Sequence, residues 1–181
     1  MLTGEIIEQL GGDAGAVTHM FMPVGVGGLA AAMAYPFWQL QDERLCRLVT
    51  VESLFSACFL TSIARGEATL VDVEEETLMA GLSCGEPSSL AWSMLREVLS
   101  DCVAITDDAV VPLMRYLHGL GIEAGECATS GLAALLQLHA HASPEFLAQF
   151  GLDADSVVVL IGCEGATDAA FYDRVVKGQE E

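Results

Sequence analysis

The chain has 181 residues, 52% of them apolar, with 26 acidic against 7 basic side chains and a formal net charge of −19. That is enough chain for one domain with a sizeable core, and so negative a field excludes nucleic acid and anionic membrane surfaces as partners. No apolar run reaches spanning length and no basic region followed by an apolar stretch opens the sequence, so neither a membrane span nor a signal peptide is expected, and a cytoplasmic location follows as the default.

In chain order, residues 3–10 carry Ile6, Ile7 and Leu10 at helical spacing and stop at Gly11 and Gly12, the pattern of a helix and its end. Residues 17–24 form an apolar run of strand length, and 28–41 read as a helix of small residues. Between them, Gly25, Val26, Gly27, Gly28 and Leu29 form a glycine-rich bend. Glycine permits positive φ there, and the opening helix offers unpaired N–H groups and the positive end of its dipole, so the bend reads as a cradle for a monoester phosphate. The same pattern also serves as an ordinary strand-to-helix connection.

A β-branched run at 47–52 and helical spacing over 54–65, ending at Gly66, make a second strand-helix unit. Glu52, at the end of that strand, reads as a solvent-facing or capping residue. Acidic residues 72–76 suggest a solvated loop, and a helix opens at Ser88 or Ser89 with Trp92 and Leu95 on its apolar side. Residues 101–106 make a third strand, followed by a helix from Asp107 that is interrupted near Gly119 or Gly121. A glutamate-led, small-residue helix over 125–141 is suited to close packing on a sheet, and another helix follows Ser143 with Pro144 in its first turn. The run 157–161 reads as a strand covered on both faces; it leads into a turn at Gly162, Cys163, Glu164 and Gly165, and 167–176 close the chain as a helix with Asp168 at its start. The tail beyond Lys177 should fray.

Strands alternating with helices predict an α/β fold: a single domain over 1–181, with a mostly parallel sheet and helices on both faces. Ligands of such sheets bind at the carboxyl ends of strands. The turns after Val24 and Ile161 both lie there, so one small molecule touches both if the two strands are neighbours. The six cysteines show neither CxxC spacing nor a zinc pattern with the histidines, so no metal site is expected and most should be buried and reduced. His139 and His141, two apart on a helix, point to different faces.

Four segments carry a family resemblance: Gly25 to Gly28; the stretch Met79-Ala80-Gly81-Leu82-Ser83-Cys84-Gly85-Glu86-Pro87 with Trp92 beyond it; Gly125-Glu126; and Glu164-Gly165-Ala166-Thr167-Asp168. In this order, over nearly the whole chain, they resemble the diaminopropionate ammonia-lyase family of fold type II, tryptophan-synthase-β-like, pyridoxal-phosphate enzymes. The resemblance implies pyridoxal 5'-phosphate as cofactor, held by the backbone amides of Gly25, Val26, Gly27, Gly28 and Leu29, with Glu126 near its ring and Cys163 beside the ring nitrogen. For Glu126 and Glu164, placement by the helix dipole alone is an equal alternative, and for Cys163 a structural thiol is one. Gly162, Cys127 and Ala166 depart from the family, which has a hydroxyl residue at each of the first two positions and an acid at the third.

The resemblance further implies α,β-elimination of 2,3-diaminopropionate to pyruvate and ammonia, a small amino acid as substrate, and a homodimer. That chemistry needs a lysine whose amine forms the Schiff base. The single lysine, Lys177, stands in the polar tail, so no catalytic residue is assigned in the chain. The expectation is a carboxyl-terminal, large-domain portion, inactive alone, that lacks the lysine-bearing amino-terminal part and needs it for turnover. The alternative is a non-catalytic α/β remnant that has lost the cofactor chemistry and oligomerises through its exposed face.

Overall fold

The computed structural model describes residues 2–40 and 46–178. Gln41, where the sequence reading ends the second helix, and the tail at 179–181 lie outside the described residues. Four strands, β1 (His19–Pro23), β2 (Arg47–Ser53), β3 (Asp101–Ile105) and β4 (Val158–Leu160), form one sheet in the order β3-β2-β1-β4. Every pairing is parallel: Met20 lies opposite Leu48 of β2 and Val159 of β4, and Val51 opposite Val103 of β3.

Side chains alternate across a strand, and β1 uses both faces. Met20 and Met22 enter a core with Phe37, Phe59 and Trp92, whereas Phe21 enters a second core with Val49, Val110, Met114 and Ala134. Helices α1 (Leu2–Gln9), α2 (Gly28–Leu40), α3 (Cys58–Arg65) and α4 (Ser89–Leu95) supply the first core. The second is built with α5 (Val110–Gly119), α6 (Ser130–His141), α7 (Pro144–Phe150) and α8 (Ala169–Lys177). Burial on both faces explains why Met20, Phe21 and Met22 of β1 are apolar without alternation, whereas in β2 the buried Thr50 and Glu52 alternate with Val49 and Val51. Ser88, Ser143 and Asp168 cap α4, α7 and α8 through their side-chain oxygens, as their sequence positions predict.

Three expectations change. The run 157–161 is only partly covered: β4 is the sheet's edge, pairs with β1 only, leaves Val158 and Val159 half-buried on its two faces, and leaves Leu160 37% exposed. Its apolar residues serve packing layers above and below, with no strand beyond to cover the edge among the described residues. The single helix expected over 54–65 divides into a 3-10 turn, Leu54–Ser56, and α3. That expected over 125–141 likewise opens as a 3-10 turn at Cys127–Thr129 before α6 begins. Residues 72–76 are exposed and irregular, and among the described residues no helix is long and apolar enough to cross a membrane.

The topology places a site. From β1 the chain builds outward through β2 to β3, then returns past β1 to lay β4 on its other side. The direction of winding reverses between β1 and β4, and their carboxyl ends flank the crevice that such a reversal leaves open. Phe21, fully buried in the strand next to that reversal, stands 6.3 Å from the Phe150 ring. Phe21→Ala is expected to cost about 3–5 kcal/mol in urea unfolding; a loss below 1 kcal/mol would show that the core there can collapse around the gap.

Candidate functional site

The crevice is a cleft of about 340 Å³. One wall is the loop between β1 and α2, residues 24–29; the others are Gly81 and Leu82, Cys127 and Ala128, and Cys163 and Glu164. The two glycine-containing turns that the sequence places at strand ends thus meet at one cavity, because β1 and β4 are neighbours.

The peptide groups of the loop are sorted by direction. Its carbonyls face the protein: Gly25 O accepts from Cys58 Sγ at 3.8 Å, Val26 O from Ser88 N at 2.9 Å, and Gly27 O from Ala31 N at 2.9 Å. Its N–H groups have no such partners. The amides of Gly25, Val26, Gly27, Gly28 and Leu29 meet no acceptor among the described residues. Unpaired amides are tolerable only where water or a ligand reaches them, and the last two open α2, whose dipole favours negative charge at this end.

Two glycines make this possible. Gly27 has φ +96°, and a Cβ on it would stand 2.5 Å from Phe59 Cζ and 2.8 Å from Ala91 Cβ. Gly25 lies so close to the 79–87 segment that a Cβ would stand 2.5 Å from Gly81 O. The conformation and the space both demand glycine.

The opposite wall is tied together by Glu164. Its carbonyl accepts from Gly125 N at 3.0 Å and its Oε2 from Cys127 N at 2.6 Å, joining the turn after β4 to the start of α6. Burial, with Glu164 beside it, pushes the Cys127 thiol up to about 12, so it is neutral and inert at pH 7. Cys163 is the exposed cysteine; Cys46 and Cys58 are buried like Cys127, and Cys84 and Cys102 half-buried. Burial raises Cys163 as well. Glu126 is not among the wall residues, although its successors Cys127 and Ala128 are. Its carboxyl is raised first by burial and further by Glu164 and Asp168.

Behind the cradle stands Glu52, which is fully buried rather than solvent-facing. It caps α3, with Oε1 accepting from Phe59 N at 2.7 Å and Oε2 from Leu60 N at 2.8 Å. Burial pushes this carboxyl up to about 7, against the pull of those two amides and of Cys58. Lys177 is not in the cleft wall; its Nζ donates to Asp173 Oδ2 at 2.7 Å on the exposed end of α8. The wall residues Gly81, Leu82, Cys127, Ala128 and Glu164 are absent from the set assigned on sequence, although three of the resembling segments contain or adjoin them.

Residues 2–163 match the family model described as pyridoxal-phosphate dependent enzyme. The chain is 30% identical over 181 residues to diaminopropionate ammonia-lyase of Escherichia coli strain K12, covering 97% of this chain and 46% of that protein. It superposes on the crystal structure of the holo form of diaminopropionate ammonia-lyase from Escherichia coli with a TM-score of 0.81 and 28% identity, covering 97% of this chain and 45% of the other. Maize serine racemase shares the fold, with a TM-score of 0.74 at 19% identity. The chain therefore spans about half the length of the curated relatives it matches.

The raised carboxyl of Glu52 has a stability consequence. Its proton is held more tightly in the folded state, about 7 against an ordinary 4.5, so its contribution is fully present below pH 4.5 and is lost as the pH rises through 7. In urea titrations over that window, wild type should lose roughly 3 kcal/mol relative to Glu52→Gln. A pH-independent difference between the two would show that the carboxyl titrates normally.

Proposed function

The chain belongs to the family of pyridoxal-phosphate dependent enzymes, and on that premise we propose that its cleft holds pyridoxal phosphate for an ammonia-lyase of the diaminopropionate type. The observation that carries this reading is the set of five unpartnered amides, Gly25 to Leu29, in the wall of a cleft at the topological reversal of the sheet. They fit a phosphate by donor number and by the dipole of α2, and Gly28 leaves open space where a Cβ would project. No lysine, arginine or histidine lines the wall, so backbone dipoles alone would neutralise the anion.

In this reading the chain's own residues bind and orient. The cradle fixes the phosphate end, Gly81, Leu82 and Ala128 narrow the space beyond it and exclude water, and Cys163 and Glu164 stand at the end of β4, where a ring would reach them. Glu126 acts behind that wall, on the helix start that carries Cys127. When bound, the cofactor supplies an electron sink for charge developing at the α-carbon of an amino acid. The amine that such chemistry requires is not provided in the cleft, since Lys177 is paired with Asp173 elsewhere. The 181 residues thus furnish the large-domain, cofactor-holding part of the site, and turnover of 2,3-diaminopropionate depends on a lysine supplied from outside them.

Equilibrium dialysis with pyridoxal phosphate, followed by borohydride reduction and mass mapping, tests this. Wild type should bind saturably, form no reduced adduct at Lys177, and release no pyruvate from 2,3-diaminopropionate. Gly27→Asp, folded by circular dichroism, should lose binding, because it strains φ and drives a side chain into Phe59 and Ala91, which displaces the loop amides. Absence of binding by folded wild type overturns the reading, and an adduct at Lys177 overturns the division of labour.

A further inference from the structure

Glu52 is the one fully buried carboxyl among the described residues, and the binding chemistry above makes no use of it. It sits on the β2 side chain row that faces α3, and both of its oxygens are spent on the first turn of that helix, at Phe59 N and Leu60 N. The same turn carries the two side chains that brace the cradle. Cys58 Sγ donates to Gly25 O at 3.8 Å, and the Phe59 ring closes the space behind Gly27, 2.5 Å from where a Cβ would stand. Phe59 is in turn seated on Trp92, at 6.4 Å between ring centroids.

Resting on the phosphate-binding reading, we propose that Glu52 is a positioning residue for the cradle: it fixes the first turn of α3, and through Cys58 and Phe59 it holds Gly25 and Gly27 so that the loop amides point into the cleft.

The link has a titration signature. The groups facing Glu52 are Cys58 from α3 and Cys102 from β3, and burial pushes these thiols up to about 12 and about 11, so both stay neutral near pH 7. No lysine, arginine or histidine contributes to its titration. Glu52 is therefore the group of this buried set that changes charge near neutrality. Ionised, it makes two charge-assisted bonds to α3; protonated, it makes weaker ones. The cradle should register the change as a movement of its amides.

The test follows the amide resonances of Gly25, Gly27 and Gly28 in the ligand-free chain from about pH 5 to about pH 8.5, a range that brackets the raised carboxyl. They should titrate with one midpoint, shared with the Glu52 side-chain carboxyl, and become flat in Glu52→Gln. Inorganic phosphate, measured by calorimetry, should bind Glu52→Gln about tenfold more weakly, because the amide side chain turns an NH2 towards a backbone donor and leaves one N–H of α3 unmet. Cys58→Ala keeps the carboxyl and its two amides, and should leave Phe59 N titrating while the Gly25 response shrinks; it serves if Glu52→Gln does not fold. Cradle amides that ignore Glu52, or equal phosphate affinity in folded Glu52→Gln, overturn the proposal. Coupled amide titration in a wild type that binds no phosphate supports the positioning role and refutes the phosphate-binding reading instead.

Discussion

The candidate site depends on which polar groups of one loop are taken up by the protein and which are left free. A strand-to-helix turn can present either carbonyls or amides to the crevice above a parallel sheet, and only the second arrangement attracts an anion. Here the choice is enforced from behind: Cys58, Ser88 and Ala31 occupy the carbonyls of Gly25, Val26 and Gly27. With Gly27 at φ +96° against Phe59 and Ala91, the loop has no room to turn the other way. On the proposed reading, anion binding follows from packing in the first core, and not from any side chain in the cleft.

This makes sense of a chain with a net charge of −19 that presents an anion-binding shape. The overall field repels phosphates at long range, but it is screened within about 10 Å at ordinary ionic strength, whereas amides in contact with the ligand act unscreened. Charge is also graded across the cleft, with donors at the β1 end and the Glu164 carboxylate, itself held by Cys127 N, at the β4 end. Such an axis suits a molecule that is anionic at one end and carries hydrogen-bond donors or positive charge at the other.

The legible parts of the fold were those with local causes. The glycine bend, the stop at Gly66, and the caps Ser88, Ser143 and Asp168 are dictated within a turn of chain, and the four strands followed from short apolar runs. What was not legible depends on register and neighbours. A continuous apolar run marks a strand packed above and below, but it does not say whether another strand lies beside it, and β4 proved to be an edge. The burial of Glu52 was hidden because a carboxylate at a strand end usually meets water; only the folding back of α3 onto β2 encloses it. Likewise Gly81 and Leu82 belong to the wall because Gly25 packs against the Gly81 carbonyl, a contact between segments more than fifty residues apart that no periodicity reports.

An intact cradle beside a missing amine is no contradiction, since the two parts of such a site have separable physical origins. The cradle is assembled from contacts made wholly inside these residues: the loop, the first turns of α3 and α4, and the 79–87 segment. Its phosphate affinity should therefore survive without a covalent anchor. The amine has no comparable support here. A lysine becomes useful only when its ammonium is desolvated and fixed over the ligand, and Lys177 is solvated, paired with Asp173, and in the last turn of the final helix. On the proposed reading, these residues keep the part that costs most in backbone precision, a cradle of main-chain dipoles for a dianion, and the missing part is one that a single side chain can supply.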